Sequence, residues 1–310
     1  MSESPTPDIK SIEDQQKARL MRLATYASLS VASILIISKF AAWVMTDSIS
    51  ILSTLVDSIL DAAASLINLL AVRHALQPAD QEHRFGHGKA EPLAALAQAA
   101  FICGSAAFVL IQAGERLYSP QPIQNTNTGY LVMVFSVILT VALVIFQRYV
   151  IKRSGSVAIS ADSLHYQTDV LINLSVIVSL FLVSQFGWVL ADPVFALLIV
   201  GYIVFGAISI GKDALNILMD RELPEDDRQN IVDLVLSEPG VTGLHDLRTR
   251  SSGLQTFIQL HLEMNGEITL HQAHIISDRV EDKLAAAYPN AEVIIHEDPE
   301  GIIENHPEFK

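Results

Sequence analysis

Apolar residues in this chain gather into six runs, each near the roughly 20 residues a helix needs to cross a bilayer. The runs cover Leu23–Met45, Ile49–Ala75, Pro92–Leu117, Gly129–Ile151, Ser156–Phe186 and Trp188–Ile210. The fifth is the least apolar and works as a span only if its polar stripe faces protein. After Asp220 the period changes. PEDDRQNIVDLVLSEPG predicts an amphipathic helix with an acidic first turn, stopped by Pro239-Gly240. GLHDLRTR and LQTFIQLHLEM predict strands around Ser-Ser-Gly, the second alternating with Ile258, Leu260, Leu262 and Met264 on one face. TLHQAHIISDRVEDKLAAAY predicts another helix and AEVIIHED a last strand. The expected fold is therefore six transmembrane helices followed by a small α+β domain of order αββαβ, ferredoxin-like, with its helices on one side of the sheet. Expected boundaries are a polar extension at 1–18, a membrane domain at 19–212, a connector at 213–220, the α+β domain at 221–300 and an acidic tail at 301–310.

Two spans break the apolar pattern in the same way. SILSTLVDSILDAAASLINLLAV carries Asp57 and Asp61; AISADSLHYQTDVLINLSVIV carries His165 and Asp169. Residues four apart project from one helix face, so each span offers two ligands to one point. Ser53, Asp57, Asp61 and Asn68 form one stripe, and Asp162, His165, Asp169 and Asn173 another. A carboxylate at the bilayer centre costs roughly 2.5–3.5 kcal/mol, so Asp57, Asp61 and Asp169 together cost about 9 kcal/mol. That rivals the net stability of a whole domain, about 5–15 kcal/mol. A bound divalent cation or a proton would offset it. The alternative is two polar helix faces hydrogen-bonded to each other, with His165 a satisfied core histidine.

Composition sharpens the class. Hydrophobic residues make up 50% of the 310 positions and charged residues only 17%, below the usual share for a soluble domain. The net charge of −14 is concentrated at the C-terminal end, where residues 221–310 hold 18 Asp and Glu against 7 Lys and Arg. That acidity disfavours nucleic acid and anionic lipid and suits cations. The lone Cys103 sits in an apolar run, which excludes a disulfide framework or thiolate cluster. Basic residues orient the spans: Arg19 and Arg22, then Arg73, Arg84 and Lys89, then Arg148, Lys152 and Arg153, then Lys212 and Arg221 all fall on one side. Arg116 is the exception. The positive-inside rule places both termini and the even connections in the cytoplasm. The opening MSESPTPDIKSIEDQQKARL lacks a signal pattern and reads as a disordered or weakly helical lead-in.

Outside the spans, His245, His261, His274, His296 and Asp298 are candidate ligands. His261 lies on the polar face of its strand, His296 and Asp298 share a strand face, and His274 shares a polar helix side with His271, Asp278 and Asp282. Imidazole and carboxylate suit Zn²⁺ and related ions, but no compact zinc-finger spacing exists, and solvated surface histidines fit the pattern too. Asp80, His83 and His87 form a second group; Gly86 and Gly88 favour a loop there, either a weak metal site or simply polar. Lys89 and Glu91 read as a charged cap before the third span. No phosphate loop, H-E-x-x-H or G-x-S-x-G is present, so ATP coupling and hydrolase chemistry find no support, and no enzyme is expected.

From Arg19 to Pro299 the chain resembles the cation diffusion facilitator family, through VDSILDAAASLINLL, LQPADQEHRFGHGKAE, ADSLHYQTDV, HDLRTRSSG, QLHLEM and IIHEDP. The resemblance implies a tetrahedral mid-membrane transport site at Asp57, Asp61, His165 and Asp169. It implies cytoplasmic metal sites at His245, His261, His274, His296 and Asp298 in a homodimer interface, a loop site at Asp80, His83 and His87, and a charge interlock of Lys89 with Asp220. It further implies a bacterial inner-membrane antiporter exchanging Zn²⁺, or Cd²⁺ or Fe²⁺, for protons. A membrane-bound metal sensor or buffer is the competing reading; ligands inside the bilayer favour transport, because a sensor needs them only in the soluble domain.

Overall fold

The computed structural model describes residues 9–47, 49–118, 127–188 and 190–301. The chain divides into two compact units, 1–215 and 216–310. The first contains α1 (Ile9–Thr46), α2 (Ile49–Ala75), α3 (Ala90–Tyr118), α4 (Asn127–Ser154), α5 (Val157–Phe186) and most of α6 (Ala191–Leu218). All 6 are long and apolar enough to cross a membrane.

At the two ends of this helical unit the structure takes the helical alternative for the lead-in and replaces the expected connector. The polar lead-in is already helical at Ile9, because IEDQQKARLMRL is rich in strong helix formers and Asp14 pairs with Lys17 at 3.8 Å. Most of the expected connector at 213–220 is the last turn of α6, and Asp220 turns the chain with φ 55°. The tail from 302 onward lies outside the described residues. α5 starts at Ser156, whose hydroxyl accepts from the Ile159 N–H, and stops at Gly187, whose φ of 65° closes the left-handed cap.

The helices pack as a hydrocarbon solvent demands. α6 meets α3 and α5 through Ala99, Ile102, Ala106, Leu164, Ile203 and Ala207. A Cβ on Gly206 would lie 3.0 Å from the Leu164 side chain, so glycine there lets α6 approach α5 closely. Large apolar residues such as Ile37, Phe108, Ile145 and Phe205 point outward, while Ser28, Ser65, Gln147 and Asp162 are buried inside.

The second unit holds α7 (Glu225–Leu236), β1 (Val241–Ser252), β2 (Gln255–Met264), α8 (Leu270–Ala287) and β3 (Ala291–Pro299). This is the αββαβ order read from the sequence. The sheet order is β1-β2-β3, with β1 antiparallel and β3 parallel to the central β2. Ile258, Leu260, Leu262 and Met264 form the buried face of β2 and pack on Ile231 and Val235 of α7 and Val280 and Leu284 of α8. The opposite face of the sheet is left to polar chemistry. α8 opens with a full capping box between Thr269 and Gln272.

Candidate functional site

α2 and α5 bring Asp61, His165 and Asp169 together, with one ligand atom of each within 4.8 Å of the others. His165 Nε2 lies 2.8 Å from Asp61 Oδ1, and His165 is only 7% exposed. Asp57, one turn earlier on α2, is exposed and outside this group. The rest of each stripe does other work. Asn173 donates to the Asp169 backbone carbonyl at 2.7 Å, within its own helix. Asn68 has both side-chain amide atoms buried without a hydrogen-bond partner among the described residues. The side chain of Ser53 is outside the described set.

Asp162 departs from the stripe reading. Its Oδ2 accepts from Ser28 Oγ at 2.6 Å and Gln147 Nε2 at 2.7 Å, and its Oδ1 from Gln98 Nε2 at 3.2 Å and Ser65 Oγ at 3.5 Å. Ser65 also meets the Tyr166 hydroxyl at 2.8 Å. One buried carboxylate therefore ties α1, α2, α3 and α4 to α5, one turn from His165. A carboxylate accepting several hydrogen bonds is held, not poised as a ligand. This is a joint.

One intramembrane charge, Lys39, was missed by pattern reading, and a second group, Glu91, takes a different place from the one expected. Lys39 on α1 donates to Ser58 Oγ at 2.6 Å and to the Thr54 carbonyl at 3.1 Å, and lies within electrostatic reach of Asp57, Asp61 and Asp169. A lysine inside a span was the available signal. Glu91 does not cap its own helix at the surface, as expected; it is buried and accepts from Ser156 Oγ at 2.5 Å and Ala158 N–H at 3.4 Å. It thereby places a carboxyl oxygen at the N-terminal end of α5, where the free N–H groups of the first turn need acceptors.

In the second unit the sheet register lines up three histidines. His245 of β1 pairs across the ladder with His261 of β2, which pairs with His296 of β3. Their rings are 5.0 Å and 4.6 Å apart. Asp298 joins them: Oδ2 lies 2.8 Å from His261 Nδ1 and 3.6 Å from His245 Nε2, and Oδ1 lies 3.2 Å from His296 Nε2. His245, His261 and Asp298 form a compact three-ligand group. His274 stands apart on α8, exposed, 3.5 Å from Asp278. Two neighbours escaped the sequence reading. Glu263 Oε1 lies 2.7 Å from His245 Nδ1, and strand alternation from His261 would have found it. Asp246 Oδ2 lies 3.8 Å from His261 Nε2; it sits in a β1 irregularity with φ 46°, which alternation does not anticipate.

The loop between α2 and α3 gathers Asp80, His83 and His87 within 4.8 Å. Backbone N–H groups of His83 and Glu82 donate to Asp80 at 2.6 and 2.9 Å and hold its carboxyl below the usual carboxylate range. Within the second unit, Asp220 pairs with Arg250 at 3.4 Å.

Imidazole–carboxylate groups of this kind can hold a borderline divalent ion. Residues 25–219 match the cation efflux transmembrane domain and residues 223–300 the cation efflux protein cytoplasmic domain. The cation-efflux pump FieF of Serratia proteamaculans is 49% identical over 290 residues, covering 94% of this chain and 96% of that protein. FieF of Klebsiella pneumoniae subsp. pneumoniae is 48% identical with the same coverage. A solved structure of CzrB in its zinc form is 31% identical over 28% of this chain and 99% of its own, at TM-score 0.26. With two domain models matching in order along nearly its whole length, this multi-pass membrane chain belongs to the cation efflux family, the cation diffusion facilitators that its motifs resemble.

Proposed function

We propose that the chain is a secondary antiporter that exports Zn²⁺-like ions, with Cd²⁺ or Fe²⁺ as alternatives, from the cytoplasm in exchange for protons. The observation that carries this reading is the Asp61–His165–Asp169 group, built from two membrane-length helices. The 2.8 Å bond between His165 Nε2 and Asp61 Oδ1 contains a proton, whichever atom formally carries it. A metal ion that takes those two atoms as ligands must displace that proton. Competition between metal and proton for one bond is the least that exchange requires. Asp57 joins as fourth ligand by a modest rearrangement of α2, completing a tetrahedron.

The same reading places the protein as a homodimer in the bacterial inner membrane with both termini cytoplasmic, supported by the basic connections and by a C-terminal unit matching the family's cytoplasmic domain. His245, His261, Asp298 and His296 then act as regulatory sites, with His274 contributing at the dimer interface. Asp80, His83 and His87 form a loop site. The charge interlock that the family resemblance implies assigns Lys89 and Asp220 as partners: reversing either charge should lower flux, and reversing both should restore it, an outcome that failure of rescue would contradict.

The test is purified protein in sealed vesicles, with metal uptake followed with and without an imposed pH gradient. Uptake should follow the gradient and acidify the metal-donating side. Metal binding without flux would instead favour a sensor.

A further inference from the structure

We propose that His74 is a fourth ligand of the loop cluster, so that His74, Asp80, His83 and His87 hold one tetrahedral Zn²⁺-type ion that clips the loop to the C-terminal end of α2. The inference rests on the reading of Asp80, His83 and His87 as metal-binding. Those three supply three ligand atoms within 4.8 Å. A protein-closed Zn²⁺ site uses four.

His74 stands in the last turn of α2, with its ring 4.5 Å from that of His87 at an interplanar angle of 66°. The His83 ring lies 4.6 Å from His87. His87 is thus flanked by two imidazoles and faces Asp80 Oδ2 at 3.3 Å through Nε2. It is also 7% exposed, and its Nδ1 is buried with no hydrogen-bond partner among the described residues. A buried imidazole with one orphan nitrogen beside a carboxylate and two more imidazoles has the form of an unfinished ligand set.

The location suits a cation. The last carbonyls of α2 form the negative end of its helix dipole. Asp80 is already oriented by backbone donors from His83 and Glu82, so one oxygen-bearing ligand needs no reorganisation. His74 is outside the three-ligand span and must swing inward. It is exposed, and the torsion that turns an imidazole ring is broad, so little opposes the movement. With His74 bound, the ion fastens the loop to the helix that carries Asp57 and Asp61. Without it, the ion would be held by the loop alone.

Cobalt(II) distinguishes the cases, since tetrahedral Co²⁺ absorbs visible light far more strongly than the five- or six-coordinate ion. Full-length protein carrying Asp61→Ala, His261→Ala and Asp298→Ala leaves the loop as the remaining three-ligand cluster among the described residues. A strong tetrahedral band is expected. His74→Ala should reduce the band several-fold and weaken Co²⁺ binding by roughly tenfold or more. His74→Cys should restore the intensity and add a thiolate-to-cobalt charge-transfer band. The His74→Ala minus wild-type spectrum in the otherwise unaltered chain serves as control against misfolding of the triple background. If His83→Ala loses binding while His74→Ala changes neither spectrum nor affinity, the fourth-ligand assignment is overturned and the three-residue loop site stands. If the loop binds no Co²⁺ at all, both fall.

Discussion

The two units use nearly the same donor set in opposite settings. In the helical unit, Asp61, His165 and Asp169 sit inside a bundle whose polar atoms face inward and whose large apolar residues face out. In the C-terminal unit, His245, His261 and Asp298 lie on the polar face of a sheet whose other face is the apolar core. The sheet cluster is cheap to keep, because water reaches part of it and Glu263 and Asp246 share the load. The bundle cluster is expensive, because each charge there is taken from water into hydrocarbon. Closely similar chemistry therefore carries different information. Under the proposed function, the costly ligands are the ones on which turnover depends, and the cheap ones are those assigned to adjustable control.

The sharpest way to break this contrast is Asp61→Ala. Flux in vesicles should vanish while the protein still reaches the membrane at wild-type level. Normal flux would end the assignment of the intramembrane group as the transport site.

Asp162→Ala should fail differently. It takes away the acceptor of Gln98 Nε2 and the shortest partners of Ser28 Oγ and Gln147 Nε2, which keep only bonds at 3.1 Å to the Ala24 carbonyl and 3.0 Å to Ser28 Oγ; a buried donor left unsatisfied costs about 1–3 kcal/mol. The loss should appear as a lowered thermal midpoint and folded yield in detergent, with metal affinity of the surviving folded fraction close to wild type. A stable, well-folded variant that no longer binds metal would show Asp162 to be a ligand rather than a joint.

The double change His261→Ala with Asp298→Ala should lower flux at limiting metal and leave it near normal at saturating metal. A variant as inactive as Asp61→Ala would erase the distinction between the two clusters.

Glu238 tests the ordinary electrostatics of the second unit and should give the smallest effect. Lys283 at 2.8 Å and Arg279 at 2.6 Å hold its carboxyl below the usual range. A depressed carboxylate stabilises above its unfolded pKa and loses that contribution as pH falls through its lower folded value. Glu238→Gln should therefore lower the thermal midpoint slightly at pH near 7, and the gap from wild type should close on acidification below the normal carboxylate range. A gap independent of pH would mean that packing, not charge, is the cause.

Much of this was legible from order and spacing alone. Length and hydropathy set six spans, because a bilayer of fixed thickness leaves a helix few choices. Strict alternation in LQTFIQLHLEM marked the buried face of β2, and four-residue spacing marked Asp61 with Asp57 and His165 with Asp169 as ligand pairs. Such periodicities describe one element at a time. Which atoms meet across elements depends on register, rotation and bulges, and these follow from packing that no local pattern encodes. Only the tertiary structure aligned His245, His261 and His296 in one row, separated Asp57 from its expected partners, turned Asp162 from one member of a polar stripe into a five-helix joint, and set His74 beside His87.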